Sequence, residues 1–204
     1  MTDAELTALA ERVSAEQSRR QRSRRCEVCG VEFEGRSDAR FCSDKHRVAA
    51  HRMWRTVMTT LTEMPRWAIF GDDKAPYQRD GSRASVTDPT TWATAAELTG
   101  HGRLGFMLGD GIACIDLDGC VVDGVATDAA RAFLERFSYS YVELSQSGRG
   151  LHIWGQADER KGKRWTTDDG LKVEWYSRER FMGFTGEVYL LGSLKPLPEP
   201  EELQ

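Results

Sequence analysis

The sequence predicts an α+β fold, in which a domain with a mixed or mostly antiparallel sheet follows a small N-terminal helical module. Three observations support this prediction. The chain has 204 residues, of which 40% are apolar, and this is enough for one main hydrophobic core. Helical periodicity dominates up to Pro65, and short apolar runs separated by turns follow it. Two further helical patterns interrupt these runs, which is typical of an α+β domain.

The N-terminal module is predicted to cover residues 1–64. A capping box opens an apolar pattern at helical spacing, so a first helix is expected over residues 2–18. An arginine cluster over residues 19–25 follows it. A second helical period begins at Lys45 and stops at Pro65, and it predicts a helix that connects the module to the main domain.

The main domain is predicted to cover residues 65–192. The last residues, 193–204, are rich in proline and acidic side chains, so we expect a disordered tail there. Within the main domain, strands are predicted over residues 67–70, 104–108, 112–117, 139–144, 151–154, 171–176 and 181–185, and helices over residues 89–98 and 127–137.

Composition and charge narrow the function classes. The chain has no run of about 18 apolar residues and no apolar signal core, so we expect a cytoplasmic protein without a membrane span. Residues 19–55 hold 11 Lys/Arg against five Asp/Glu, whereas residues 56–204 hold 16 against 23. The basic segment is therefore the expected nucleic-acid contact, although such a run is often only a solvated surface.

Three cysteines and one histidine have the spacing of a structural zinc site. The pattern Cys26-x2-Cys29-x12-Cys42-x3-His46 offers four ligands, which leaves no open position for chemistry. His51 is a second candidate for the fourth ligand, but its spacing from Cys42 is less typical. This knuckle would contact template DNA, dock another protein or only stabilise the fold. The other two cysteines, Cys114 and Cys120, are interpreted as packing residues.

The segment Ile115-Asp-Leu-Asp118-Gly places two carboxylates on one face of a predicted strand. Adjacent carboxylates repel each other unless a cation lies between them, and Mg²⁺ or Mn²⁺ with oxygen ligands is the usual solution. Asp116 and Asp118 are therefore candidate ligands of a metal that would bind phosphate. The competing interpretation is a strand with one solvated face.

Further polar residues follow in a strand, a turn and two more strands. The turn Ser145-Gln-Ser-Gly-Arg-Gly150 is rich in Gly and Ser, so its backbone N–H groups and the Arg149 side chain suit phosphate oxygens. His152 lies between apolar neighbours and is a candidate site residue, although a lone histidine on a strand is more often structural. Glu174 adds a third carboxylate, which could equally form an ion pair with a nearby arginine.

Taken in order, these segments resemble the bifunctional primase/polymerase (prim-pol) family of the archaeo-eukaryotic primase superfamily, as carried by phages and plasmids. The resemblance covers about residues 66–192. The matching blocks are Trp67 with Lys74-x-Pro76, residues 84–92, Leu104-Gly-Phe-Met-Leu108, Ile115-Asp-Leu-Asp118, Tyr141-x-Glu143-x-Ser145-x-Ser147-Gly-x-Gly-x-His152, Val173-Glu-x-Tyr176 and Arg180-Phe-x4-Gly186.

The resemblance implies a catalytic domain derived from an RRM-like fold and a role for each site residue. Asp116, Asp118 and Glu174 would hold two Mg²⁺ or Mn²⁺ ions, and His152 would act with them and contact the phosphates of the incoming nucleotide. The broader superfamily has Ser two residues before this histidine, whereas Gly150 occupies that place here. The other implied nucleotide-binding residues are Lys74, Ser147, Arg149 and Arg180.

The implied activity is template-dependent nucleotidyl transfer, as a DNA primase, a DNA polymerase or both. The implied partners are a single-stranded DNA template and dNTPs or NTPs. No Gly-x4-Gly-Lys-Ser/Thr loop occurs in the sequence, so a helicase would be a separate protein. The alternatives are a non-catalytic, zinc-dependent DNA-binding replication protein with a nucleotide-binding domain, and a metal-dependent nuclease that uses the same carboxylates.

Overall fold

The computed structural model of the protein describes residues 23–204. The helix predicted over residues 2–18 and most of the arginine cluster lie outside the described residues. The helices are α1 (Asp44–Glu63) and α2 (Asp128–Leu134). The strands are β1 (Ser23–Arg25), β2 (Glu32–Glu34), β3 (Trp67–Phe70), β4 (Pro76–Tyr77), β5 (Leu104–Met107), β6 (Ile112–Asp118), β7 (Val121–Val122), β8 (Val125–Ala126), β9 (Tyr141–Leu144), β10 (Leu151–Gln156), β11 (Lys163–Thr166), β12 (Lys172–Tyr176), β13 (Phe181–Phe184), β14 (Val188–Leu190) and β15 (Lys195–Pro196).

Two sheets form the main domain. The larger has the order β11-β12-β6-β10-β9-β14, and β15 runs parallel to the end of β10. The smaller has the order β13-β5-β3-β4 and is antiparallel throughout. All other pairs in the larger sheet are antiparallel. The prediction of a mixed, mostly antiparallel α+β fold is therefore confirmed. None of the described helices combines the length and apolarity that a bilayer-spanning segment requires.

The larger sheet separates two hydrophobic clusters. Ile115 and Leu117 of β6 face the first cluster, which α2 covers. Cys114 faces the second cluster, which lies toward the smaller sheet and α1. Because strand side chains alternate, Asp116 and Asp118 continue the face of Cys114. The carboxylates therefore stand at the edge of the second cluster, between the two sheets.

Helix α1 connects the knuckle to this second cluster. The Ser43 side chain caps its N-terminus by accepting from the backbone N–H of His46, and it ends at Glu63, just before Pro65. Its buried residues Val57 and Leu61 pack in the same cluster as Cys26 of the knuckle. The division at residues 64 and 65 remains a prediction, but the two parts share apolar contacts.

Two sequence predictions are wrong for identifiable reasons. A helix was expected over residues 89–98, but only Pro89–Thr91 forms a short 3₁₀ turn. Side-chain hydrogen bonds to the backbone take the place of the backbone hydrogen bonds of a helix there. Thr91 Oγ1 donates to the Asp88 carbonyl, and the Glu97 carboxylate accepts from the Thr94 N–H. Ala93 also forms an antiparallel bridge to Trp67, which requires extended backbone.

Residues 193–204 were expected to be disordered, but they pack on the larger sheet. β15 pairs with β10, and Leu197 and Leu203 lie in the first hydrophobic cluster. Arg160 forms ion pairs with Glu199 and Glu201, so the acidic charges have partners on the domain. Apolar burial and ion pairing offset the conformational entropy that this largely polar segment loses when it becomes ordered.

Candidate active site and metal centre

The register of the larger sheet places five polar side chains in one row. In this row Arg164 of β11 lies opposite Glu174, Glu174 opposite Asp116, Asp116 opposite His152, and His152 opposite Glu143. Directly opposed residues of neighbouring strands point to the same face. Residues that are distant in sequence therefore form one line of ionisable side chains across five strands, in which the carboxylates of Glu174 and Asp116 are neighbours.

The Asp116 carboxylate lies in the middle of this row. Its side chain is 22% exposed, and within residues 23–204 its nearest ionic partner is His152 Nε2, at 3.9 Å. Burial raises the pKa of Asp116, and the like charges of Glu174 and Asp118 raise it further, against the opposing effects of His152 and Arg180. The described side chains thus compensate the charge of an ionised Asp116 only in part, and this fits a divalent cation bound by oxygen ligands.

The Glu174 carboxylate contacts one hydroxyl group and two guanidinium groups. Tyr176 donates to its carboxylate at 2.7 Å, and Arg180 and Arg164 each approach it at 3.4 Å. Asp118 is exposed at the end of β6, opposite Lys172 of β12. Asp116 and Asp118 lie on one face of β6, and Glu174 lies opposite Asp116 on the neighbouring strand β12. Three carboxylates on one face are a donor set that two divalent ions can share.

His152 is buried next to the carboxylates. It is 5% exposed, its Nδ1 lies 3.3 Å from Glu143 Oε1, and its Nε2 faces Asp116. Burial lowers the pKa of this imidazole, but the hydrogen bond to Glu143 and the negative charge of Asp116 outweigh it, so the pKa is raised. A protonated His152 presents a donor to an anion in the cleft.

A cleft of about 600 Å³ opens in front of the row. The smaller sheet supplies its opposite wall, including Phe70 and Phe181. Lys74, in the β3–β4 turn, lines this cleft and also a neighbouring cavity of about 410 Å³, which Arg149 and Lys172 line. The structure thus brings all five sequence-predicted nucleotide-binding residues to the two cavities: Lys74, Ser147, Arg149, His152 and Arg180.

Arg180 has a donor with no partner among the described residues. Its guanidinium stacks on the Tyr176 ring at 4.6 Å, and its buried Nε makes no hydrogen bond within residues 23–204. Because a buried N–H without an acceptor is costly, this atom fits an anionic ligand that enters the cleft.

The Gly/Ser turn between β9 and β10 differs from the expectation that its backbone N–H groups face a phosphate. Ser145 Oγ accepts from Gly150 N at 3.0 Å, and the Ser145 carbonyl accepts from Gly148 N at 2.8 Å. Ser147 Oγ accepts from Arg149 N at 3.3 Å. Most donors of the turn are used internally, so the Arg149 side chain is the part of the turn that suits a phosphate.

The close packing of Gly150 explains the departure from the pattern of the broader superfamily. A Cβ atom at this position would lie 2.7 Å from the Leu117 carbonyl oxygen and 3.1 Å from Ser145 Oγ. A serine would therefore collide with β6. Glycine here allows the turn to approach the strand that carries the aspartates.

The knuckle brings its four predicted ligands together. The Sγ atoms of Cys26, Cys29 and Cys42 and the ring nitrogen of His46 lie within 4.8 Å of one another. Cys29 and Cys42 are 3.8 Å apart, and the Sγ atoms of Cys26 and Cys42 lie 3.6 and 3.0 Å from His46 Nδ1. Tetrahedral zinc with its usual bond lengths places two sulfurs about 3.8 Å apart and sulfur and nitrogen about 3.6 Å apart. The first two distances match these values, and the third is shorter. The alternative ligand His51 is exposed on α1 and outside this group.

The surroundings of Cys26 favour the thiolate form of its side chain. Burial raises its pKa, but backbone N–H groups of Cys42, Cys29 and Val28 more than compensate and lower the pKa to about 6. Zinc binds thiolates, so this donor set fits a structural zinc ion.

Three residues of the site were missed by sequence reasoning. Arg164 meets Glu174 only through the register of β11 and β12. Glu143 was seen only as part of a motif block, and its place beside His152 depends on the register of β9 and β10. Lys172 lies opposite Asp118 and lines the smaller cavity. A charged residue within an apolar strand is the one available signal, and it does not identify the partner strand.

No protein-family model matches the chain. The chain is 34% identical over 145 residues to a protein named DNA primase-polymerase from Nitratiruptor phage NrS-1. This match covers 63% of the chain and 20% of the phage protein, so the chain spans about a fifth of that relative's length. The similarity supports the resemblance that the sequence motifs indicate: over the matched residues, the chain is similar to a phage DNA primase-polymerase.

Proposed function

We propose that the chain is a template-dependent nucleotidyltransferase, acting as a DNA primase, a DNA polymerase or both in phage or plasmid replication. One observation carries this proposal. Glu174, Asp116 and His152 lie in one row of the larger sheet, in a cleft that Lys74 and Arg180 also line. Acidic ligands beside cationic groups suit a reaction that needs both divalent metals and a triphosphate.

Each part of the cleft has a role in this reaction. Asp116, Asp118 and Glu174 would hold two Mg²⁺ or Mn²⁺ ions, because their donors are carboxylate oxygens on one face. When bound, such ions lower the pKa of an attacking 3′-hydroxyl and neutralise charge on the phosphates. His152 and Arg180 would orient the triphosphate as donors. The walls formed by Phe70 and Phe181 would limit the access of water.

A primer-extension assay tests the proposal. The protein is incubated with a single-stranded template, Mg²⁺ or Mn²⁺ and labelled dNTPs or NTPs, with and without a primer. Product without a primer would identify a primase, and product only with a primer a polymerase. No product under any condition, with DNA binding retained, would favour a non-catalytic DNA-binding protein. Degradation of the template without incorporation would favour a nuclease.

We further propose that the N-terminal basic segment contacts the template. The exposed face of α1 carries His51, Arg52 and Arg55 beside Thr56 and Thr59, and these residues line a groove of about 450 Å³. Within residues 23–204, no ion pair involves Arg52 or Arg55. Cations and hydroxyls along one helix face suit the phosphates of a single strand.

The double variant Arg52→Ala/Arg55→Ala is expected to weaken single-strand binding about tenfold at low salt. It should also reduce the slope of log K against log salt by about 1.4, because each single-strand phosphate contact contributes about 0.7. Fluorescence anisotropy with a labelled oligonucleotide at several salt concentrations measures both. Arg79→Ala/Lys161→Ala is the matched control, since it removes two exposed charges elsewhere. If both double variants weakened binding equally, nonspecific electrostatic attraction would explain the effect, and α1 would have no special role in template binding.

A further inference from the structure

Glu143 is a buried carboxylate at the centre of β9. It is 0% exposed, yet it is surrounded by hydrogen-bond donors. Tyr141 Oη, Thr185 N and Gly186 N approach Oε2 at 3.0, 3.2 and 2.9 Å. Trp154 Nε1 and His152 Nδ1 approach Oε1 at 3.0 and 3.3 Å. A carboxylate accepts at every one of these contacts, so five donors are satisfied by one side chain.

The carboxylate is oriented independently of His152. Two of its donors are backbone N–H groups, and Trp154 Nε1 can only donate. These fixed donors hold Glu143 in place even if the imidazole turns. Among the side chains of residues 23–204, the imidazole hydrogen-bonds only to Glu143, apart from the long approach to Asp116, and the Gly183 backbone is its one further polar contact.

We propose that Glu143 is the positioning residue for His152. By accepting from Nδ1, it fixes the plane of the ring and the position of the Nδ1 proton, so that Nε2 faces Asp116 and the cleft. Glu143 itself lines neither cleft cavity, and it acts through His152. This inference rests on the proposed function, because the ligand to which Nε2 is presented is the phosphate of a nucleotide.

The substitution Glu143→Gln removes the negative charge of this side chain but keeps its size and its place in the fold. The amide oxygen would stay with the two backbone N–H groups at Oε2, and the amide NH₂ would take the place of Oε1, where the Trp154 Nε1–H would lose its acceptor and the fold some stability. Nδ1 would then face a donor and would have to accept. We therefore expect the Nδ1 proton to be present in the wild type and absent in Glu143→Gln.

Imidazole ¹⁵N spectra of histidine-labelled protein measure this proton without nucleotide or activity. The chain has four histidines, so four imidazole systems are expected, and His152→Ala assigns the relevant one. A wild-type His152 with an unprotonated Nδ1 would overturn the proposal by itself, even if Glu143→Gln failed to fold. An unchanged protonated Nδ1 in a folded Glu143→Gln would also overturn it.

A double-mutant cycle tests the link to nucleotide binding. Glu143→Gln is expected to weaken dNTP binding about tenfold in the presence of Mg²⁺, as for a lost charge-assisted contact. In the His152→Ala background the same substitution should change the Kd less than about twofold, because Glu143 acts through the missing ring. Additive losses would show that Glu143 only stabilises the fold, and this would overturn the proposal.

Tyr141→Phe is the matched control. It removes one donor from Oε2 but leaves the pair at Oε1 intact. We expect a loss of thermal stability without a change in the Nδ1 proton and with a Kd within about twofold of the wild type. If Tyr141→Phe weakened dNTP binding as much as Glu143→Gln, loss of stability would explain both, and the proposal would fail. A wild type that binds no nucleotide would instead overturn the proposed function, while the Nδ1 shift would still identify Glu143 as the residue that positions His152.

Discussion

Asp116→Asn is expected to reduce nucleotide incorporation at least about 10³-fold and to raise the melting temperature of the metal-free protein. The loss of activity follows because the substitution removes a charge at the centre of the row, where a metal would supply several kcal/mol of transition-state stabilisation. The gain in stability follows from burial, which raises the pKa of Asp116 and makes its ionised form costly to the fold. An amide of the same shape carries no such cost.

The raised pKa of Asp116 also determines how the stabilising effect of Asp116→Asn changes with pH. Because the pKa of Asp116 is higher in the folded than in the unfolded protein, its penalty on stability is absent below the unfolded pKa of about 3.9. The penalty grows as the pH rises through the folded pKa and is fully present above it. The stabilising effect of Asp116→Asn should therefore be seen at neutral pH and vanish below about pH 4.

Thermal unfolding in a chelator and in Mg²⁺ or Mn²⁺, together with primer extension, measures both effects. Metal should stabilise the wild type and have little effect on Asp116→Asn. Asp123→Asn is the matched control, because Asp123 is exposed at the tip of the β7–β8 hairpin and has a positive φ that asparagine tolerates. Wild-type incorporation by Asp116→Asn, or equal loss in Asp123→Asn, would remove the metal assignment.

The strands that carry the site could be predicted because burial imposes their pattern. In β6, apolar residues on the first face alternate with Cys114, Asp116 and Asp118 on the second, so the sequence already places both aspartates together. The predicted connector helix also agrees with α1, because its period and the stop at Pro65 are local signals. The predicted helix over residues 89–98 failed because Trp67, from a distant strand, pairs with Ala93.

The arrangement of the site could not be predicted from such local signals. Glu143, His152 and Glu174 lie on three different strands, and only the tertiary register places them in line with Asp116. A shift of one residue in any pair would turn a side chain to the opposite face. The role of Gly150 depends likewise on a contact with the Leu117 carbonyl, which no sequence pattern encodes.

If the knuckle holds zinc, as its donor set predicts, removal of one ligand by Cys42→Ser is expected to abolish zinc binding and to lower the melting temperature by several degrees or more. Structural zinc contributes about 10–16 kcal/mol of binding free energy in zinc-finger peptides, and a three-ligand site forfeits much of it. Cys42 is exposed, so the substitution itself costs little packing. The first turn of α1 should loosen as well, because His46 belongs to that turn.

The loss should spread into the main domain through the contacts of the knuckle. Cys26 is fully buried in the second hydrophobic cluster, and the Leu191 N–H donates to the Glu27 carbonyl. Metal analysis and thermal unfolding measure the effect, and Cys120→Ala is the matched control. That variant removes a buried thiol that is not one of the four knuckle ligands. It should therefore lose stability but bind zinc as the wild type does. A fully stable Cys42→Ser protein without zinc would show that the apolar contacts of Cys26 and α1 alone hold the knuckle, and the ion would then have no structural role.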